Sequence, residues 1–227
     1  MTNKLLIRFA IREAMGLVFM GVALFWSAGS VDWWPARALI VLTMSWSIAT
    51  AVVIARHRPD LLAERLGPRK GAKRWDTVLM SAHGLVQLAI LVVSGLDRRF
   101  GWSEGIVPVA QVVAFLVCSV GYGLVVWATA ANAFFSQIVR IQTERGHTVV
   151  SGGPYHYVRH PAYAGGILTQ LSMPILLGSW WALLVGALDA LLMVVRTALE
   201  DRTLKAELPG YPDYVGRVHH RLIPGIW

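Results

Sequence analysis

The sequence predicts an all-α fold, a polytopic membrane helix bundle of about five to six membrane helices that includes a short carboxy-terminal helical hairpin. Three observations carry that prediction. Four apolar stretches are each near or above the roughly 20 residues needed to cross a bilayer. A fifth is too long for one crossing, and the basic residues gather on one side of the resulting zigzag. Composition agrees: 56% of the 227 residues are hydrophobic and 15% are charged, against about a quarter charged in a water-soluble domain. Mean hydropathy is +0.54, and the ten tryptophans suit a chain with two membrane interfaces, where the amphipathic indole settles.

The first stretch runs from about Ala14 to Ser30. Lys4, Arg8 and Arg12 ahead of it outline a secretory signal, but Trp26, Trp33 and Trp34 read as interfacial anchors of a retained span. Pro35 to Ala55 and Thr77 to Leu96 follow as the second and third helices, and Ile106 to Phe135 as the fourth. At 1.5 Å per residue the fourth is about 45 Å long, so its last turns near Asn132 are expected to project into the interface. The fifth region, Ala162 to Val195, would be roughly 50 Å as one helix, against a hydrocarbon core of about 30 Å. It must fold back. Pro174, Gly178 and Ser179 supply the break, Trp180 and Trp181 anchor it, and two short helices result.

Seventeen of the 21 lysines and arginines lie in segments that share one side, and only Arg37, Arg98 and Arg99 lie on the other. The positive-inside rule then places both termini and the long polar segments in the cytoplasm. A net charge of +8 so divided between apolar runs marks membrane topology and does not resemble a nucleic-acid surface. Cys118 is the single cysteine, so an intrachain disulfide and a multi-cysteine metal site are excluded. His219 and His220 are adjacent and point different ways, and no helix carries a His-x-x-x-His pair, so no metal is expected. The organisation expected is one integral membrane domain over 1–227. Residues 1–135 form four membrane helices with a basic cytoplasmic loop at 56–76, and 136–227 form a polar loop, the hairpin and a cytoplasmic tail.

Two polar segments exceed what connectors need. Within 56–76, Leu61, Leu62 and Leu66 fall at helical spacing between basic residues, which fits either a short helix on the membrane surface or a loop that sets topology. The second, Ser136 to Pro161, contains Gly152, Gly153 and Pro154, a turn that exposes backbone N–H groups. Arg159, His160 and Tyr163 follow at the N-terminus of the hairpin's first helix, an end that favours a carboxylate or phosphate. An interfacial loop anchored by Tyr and Arg is the alternative. Beyond the hairpin, Arg196 and Glu200 stand four apart on one helix face, followed by Asp201, as an intrahelical salt bridge or as part of a site. Asp189, one heptad earlier, is expected to face the bundle interior. His83 and Gln87 either pack across helices or face a cavity.

The pattern Arg159-His-Pro-Ala-Tyr163, with Arg196 and Glu200-Asp201 after a helical hairpin, resembles the isoprenylcysteine carboxyl methyltransferase family and, more widely, the phospholipid methyltransferases. The resemblance covers about Arg140 to Trp227. It implies S-adenosylmethionine as cofactor, held by His147, Thr148, Val149, Val150, Tyr155, His160, Pro161, Ala162, Tyr163 and Glu200. It makes Arg196 and Glu200 the catalytic pair, with Arg196 at the position of substrate contact, where a guanidinium grips a carboxylate in bidentate fashion. It implies a lipophilic or small acceptor: a prenylated cysteine carboxylate, a phospholipid amine, or a small thiol or hydrophobic acid. Two departures stand out. Arg140, or Gln142 across a gap, occupies the place of a cofactor-contacting glutamine, and the second acid is Asp201 where relatives have glutamate. Tyr211, Tyr214 and the tail Leu222 to Trp227 resemble a segment that packs over the cofactor or dips into the interface as a lid.

The cofactor's sulfonium and ammonium want carboxylates, and its carboxylate wants N–H groups or arginine. An in-line methyl transfer draws most of its acceleration from positioning. An acceptor with a proton to lose needs a base, for which His160, His156 and Tyr155 are the candidates. Two other classes compete: an NADPH-dependent membrane sterol or enone reductase, and a small-molecule transporter with a path lined by Asp189.

Overall fold

The computed structural model describes residues 2–57, 59–67 and 71–227. It comprises eight α-helices among the described residues: α1 Thr2–Ala28, α2 Trp34–His57, α3 Pro59–Leu66, α4 Arg74–Phe100, α5 Pro108–Ala131, α6 Pro161–Leu177, α7 Trp180–Glu207 and α8 Tyr211–Arg217. Of these, α2, α4, α5 and α7 are long and apolar enough to cross a membrane. Large apolar side chains spaced three or four apart point outward: Met15, Val18, Phe19 and Val22 on α1, Val109, Val113, Leu116 and Val120 on α5, and Leu184, Leu188 and Leu191 on α7. Such faces need hydrocarbon as solvent.

The interior that the helices share is apolar. Leu24 and Ala28 of α1, Leu39 of α2, Ile90 and Leu91 of α4, Cys118 of α5, Met173 and Leu176 of α6 and Ala182 of α7 form one cluster. Small residues let α5 and α6 approach closely: a Cβ on Gly121 would lie 2.6 Å from the Gly165 carbonyl oxygen, and one on Gly165 would lie 2.5 Å from that of Gly121. In a lipid environment, where burying apolar surface between helices gains little, this close backbone packing replaces the hydrophobic drive.

The hairpin differs from the expectation in two ways. Pro174 lies inside α6, and the break is at Gly178 and Ser179, where Gly178 takes φ 81°. Only glycine adopts that conformation cheaply. Ser179 then caps α7 by accepting from the Ala182 amide at 3.0 Å. Moreover, α7 has 28 residues, about 42 Å, and is not short: it continues past Val195 because Arg196, Glu200 and Asp201 all find partners outside its own backbone. Conversely α5 stops at Ala131, earlier than expected. The Asn132 side chain accepts from the Phe134 amide at 2.8 Å and so turns the chain out of the helix.

The break is closed by a buried carboxylate. Asp97, at the end of α4, accepts from the Ser103 amide at 2.7 Å, from the Ser103 hydroxyl at 2.6 Å and from the Ser179 hydroxyl. Deeper in the bundle, Asp189 of α7 is fully buried, as anticipated, and meets His83 Nδ1 at 2.8 Å and the Gln87 amide at 3.2 Å, both on α4. His83 and Gln87 therefore pack across helices. The basic segment forms α3, whose Leu61 and Leu62 are buried against Phe9 of α1 and Ile54 of α2. Its Arg58, Arg69 and Lys70 lie outside the described residues.

Candidate active site

At the end of the bundle where α5 stops, α6 begins and α7 emerges, the chain encloses a cleft with about 770 Å³ of atom-free space, open at its mouth. Asn132, Phe134 and Phe135 continue from α5 into it, and the extended segment Ser136, Ile138, Val139, Arg140 and Gln142 forms one wall. His147, Thr148, Val149 and Val150 form another, and Tyr155, His160, Ala162 and Tyr163 supply the floor. Glu200, Leu204 and Leu208 of α7 and Tyr211 and Tyr214 of α8 close it.

Nine residues anticipated for a cofactor wall thus meet in one place although they come from three separate stretches. Pro161 does not line the cleft; it is buried at the first position of α6, where a missing N–H costs nothing. Arg196 does not line it either. Its Nε donates to Asp76 at 2.7 Å and its Nη2 to the Gln137 carbonyl at 3.1 Å, while its guanidinium lies 5.1 Å over the Tyr163 ring. The Nε/Nη2 edge is therefore already spent, which leaves no bidentate grip on that side for a substrate carboxylate. Nor does Arg196 bridge to Glu200: Tyr163 stands between them, and its hydroxyl donates to Glu200.

Asp201 has a fully occupied carboxylate. Arg159 donates to both its oxygens, at 2.8 and 3.2 Å, Tyr211 at 3.0 Å and Arg221 at 3.0 Å, and Lys205 lies 3.1 Å away. His160 Nε2 lies 3.4 Å from it and 3.4 Å from the Tyr211 hydroxyl. Arg159 also donates to the Val218 carbonyl at 2.7 Å. So Arg159, expected at an anion site, lines the cleft and is at the same time the buried strut between the loop, α7 and the tail. Gly152 and Gly153, by contrast, stay outside the cleft lining and are exposed, and so is His156. The Leu222 to Trp227 tail turns back on itself, the Trp227 carbonyl accepting from the Arg221 and Leu222 amides at 2.8 and 2.9 Å. Of the proposed lid, only Tyr211 and Tyr214 reach the cleft.

The polar groups of the cleft are tuned by burial. Tyr155 and Tyr211 are pushed up by desolvation, the latter also by Asp201, and Tyr214 is pushed up to about 12. His147 is lowered by burial and by Arg145 and Arg140. Its Nδ1 accepts from the Gln142 amide at 3.3 Å, which puts the imidazole proton on Nε2. Arg140 is held by Glu64 through two hydrogen bonds, 3.1 and 2.7 Å, and by Glu144 at 2.7 Å. Gln142 is buried and donates to the Phe134 carbonyl at 2.8 Å. Both therefore line the cleft while their side chains brace its wall.

Asp76 is the residue that sequence reasoning missed. It is fully buried in the first turn of α4 and accepts from Arg196 and, at 2.7 Å, from the Val139 amide of the cleft wall. An acid opening an apolar span was the available signal.

Residues 112–206 match the sequence model of the isoprenylcysteine carboxyl methyltransferase (ICMT) family. A solved structure of a eukaryotic intramembrane Ras methyltransferase, ICMT, aligns with 94% of this chain and 75% of that one, with a TM-score of 0.56 and 17% sequence identity. The fold is therefore shared with that membrane protein. No curated protein matches the chain.

Proposed function

We propose, on the match of residues 112–206 to the isoprenylcysteine carboxyl methyltransferase family model, that the protein is an S-adenosylmethionine-dependent methyltransferase of the membrane, working as one domain. In this reading it methylates a lipophilic or small acceptor at the cytoplasmic face. The observation that carries the reading is the convergence of His147 to Val150, Tyr155, His160, Ala162, Tyr163 and Glu200 on a single cleft.

The donor set fits the cofactor. Glu200 offers a carboxylate to a cationic ligand, and the Tyr163 hydroxyl orients it. Phe134, Phe135, Val149, Val150 and Leu204 offer flat and branched apolar surface for a base. His147 Nε2–H is a neutral donor suited to a hydroxyl or carboxylate. S-adenosylmethionine, when bound, supplies an electrophilic methyl on its sulfonium. The protein's part is to hold acceptor and methyl in line and to exclude water, an effect worth several kcal/mol.

The groups available for proton transfer favour a carboxylate acceptor. His160 Nε2 is engaged by Asp201 and Tyr211, His147 carries its proton on the free nitrogen, and Tyr155 is tied to the Asn132 amide at 3.2 Å. An acceptor that arrives as an anion needs no base. Both termini and the cleft lie, in this reading, on the cytoplasmic side, supported by the distribution of lysine and arginine.

Membranes carrying the protein, incubated with methyl-labelled S-adenosylmethionine and resolved by mass spectrometry, are expected to yield a labelled ester of an apolar acid. Absence of protein-dependent label, with NADPH alone protecting the solubilised protein from heat, would replace this function with a reductase.

A further inference from the structure

A second cavity, of about 400 Å³ of atom-free space, abuts the cleft and shares Ser136 and Ile138 with it; Arg12, Glu64, Arg65, Gly67 and Gln137 complete its lining. It lies beside Arg12 of α1, whose neighbour Ile11 and, a turn further on, Met15 face outward.

Charges around it are balanced with one exception. Arg12 pairs with Glu13 at 2.9 Å, and Glu13 also accepts from the Ser47 hydroxyl at 3.0 Å. Glu64 is taken by Arg140. Arg145 meets Asp60, Arg196 meets Asp76, and Arg159 and Arg221 meet Asp201. Arg65 has no carboxylate partner among the described residues. Its Nη2 makes one long contact, 3.4 Å to the Thr129 hydroxyl, and its guanidinium lies 5.2 Å over the Phe135 ring. Its Nε is buried with no hydrogen-bond partner among the described residues. Burial, followed by the neighbouring Arg12, lowers Arg65 to about 10, with Glu13 and Tyr155 opposing, so it remains charged at neutral pH. A half-buried, charged fork that lines a cavity and makes one long hydrogen bond has donors to spare for a ligand there.

We propose that this cavity binds an oxyanion, phosphate or carboxylate, carried on an apolar chain that lies against α1, with Arg65 as the principal contact. A guanidinium matches both oxyanions in bidentate fashion. The setting, a basic pocket between helices where the outward apolar face of α1 ends, matches a group whose tail stays in the bilayer. The assignment does not depend on methyl transfer.

Thermal unfolding of the full chain would be followed in micelles of a neutral detergent with added phosphatidylglycerol, phosphatidylcholine or dodecanoate. The wild-type protein is expected to be stabilised by phosphatidylglycerol, dodecanoate or both, and not by phosphatidylcholine. Arg65→Gln is expected to weaken that response about tenfold in apparent affinity, the loss of one charge-assisted hydrogen bond, while its unfolding temperature in detergent alone stays level or rises. A phosphatidylglycerol response identifies a phospholipid headgroup, and a dodecanoate response without it identifies an acidic amphiphile. Should Arg65→Gln not fold, Arg65→Lys, which keeps the charge and loses the fork, is expected to show the weakened response. An unaltered response in the variant that folds, or no response of the wild type to either anion, would overturn the site.

Discussion

Two adjacent acids on α7 live in opposite circumstances. Asp201, 1% exposed, is surrounded by Arg159, Arg221, Lys205 and Tyr211, so every lone pair is spent on the fold. Glu200, about 100° further back around the same helix, lines the cleft and is oriented by Tyr163. A carboxylate saturated with internal cations anchors structure; a neighbour with capacity left over, turned toward a cavity, is the one that can meet a ligand. The same contrast separates Asp76, saturated by Arg196 and the Val139 amide, from Glu200 at the far side of the Tyr163 ring.

Asp201→Asn should therefore act on stability first. It leaves three cations facing a neutral amide, and a loss of about 3–5 kcal/mol is expected, as for other broken buried ion pairs, read as a large drop in unfolding temperature in detergent. A variant as stable as wild type would mean that the cations around Asp201 are solvated and not structural.

Asp76→Asn keeps shape and removes the charge opposite Arg196. A cost of about 2 kcal/mol is expected, near that of one charged hydrogen bond, together with a raised KM for S-adenosylmethionine and little change in kcat, because Asp76 braces the cleft wall at Val139 without entering the cleft. Asp76→Glu should recover part of the KM. A fall in kcat with KM unchanged would break the distinction between bracing and contacting residues.

The smallest effect concerns His147. Its folded-state pKa is lowered below the ordinary value near 6.5, so the unfolded chain binds the proton more readily. The resulting stability is complete above about pH 6.5 and is lost as pH falls through the lower folded value. A modest fall in unfolding temperature between pH 7 and pH 5 is expected, and His147→Gln should flatten it; an identical slope in the variant would assign the titration elsewhere.

Much of this was legible from the chain. Apolar runs located the spans, and glycine with serine located the hairpin turn, because length and backbone chemistry are local properties. The end of α7 was not legible: Arg196, Glu200 and Asp201 look like an exit from the membrane, yet their partners at Asp76, Tyr163 and Arg159 keep the helix going. Pro174 looked like a break and is accommodated inside α6. Residues 147–150, Tyr155, His160, Ala162, Tyr163 and Glu200 do meet on one cleft, and Pro161 does not. The ion-pair partners of Arg159 and Arg196 were not legible, since each is an acid 42 or 120 residues away. Hydropathy and motif spacing carry no information about such pairings.

Glu200 carries the central claim, and calorimetric titration of S-adenosylmethionine into the reconstituted wild-type protein and Glu200→Gln tests it most directly. The prediction is saturable binding at one site per chain in the wild type, weakened on the order of tenfold or more in the variant, with the two unfolding temperatures in ligand-free protein equal. Equal affinities, or no binding to the wild type, would contradict it.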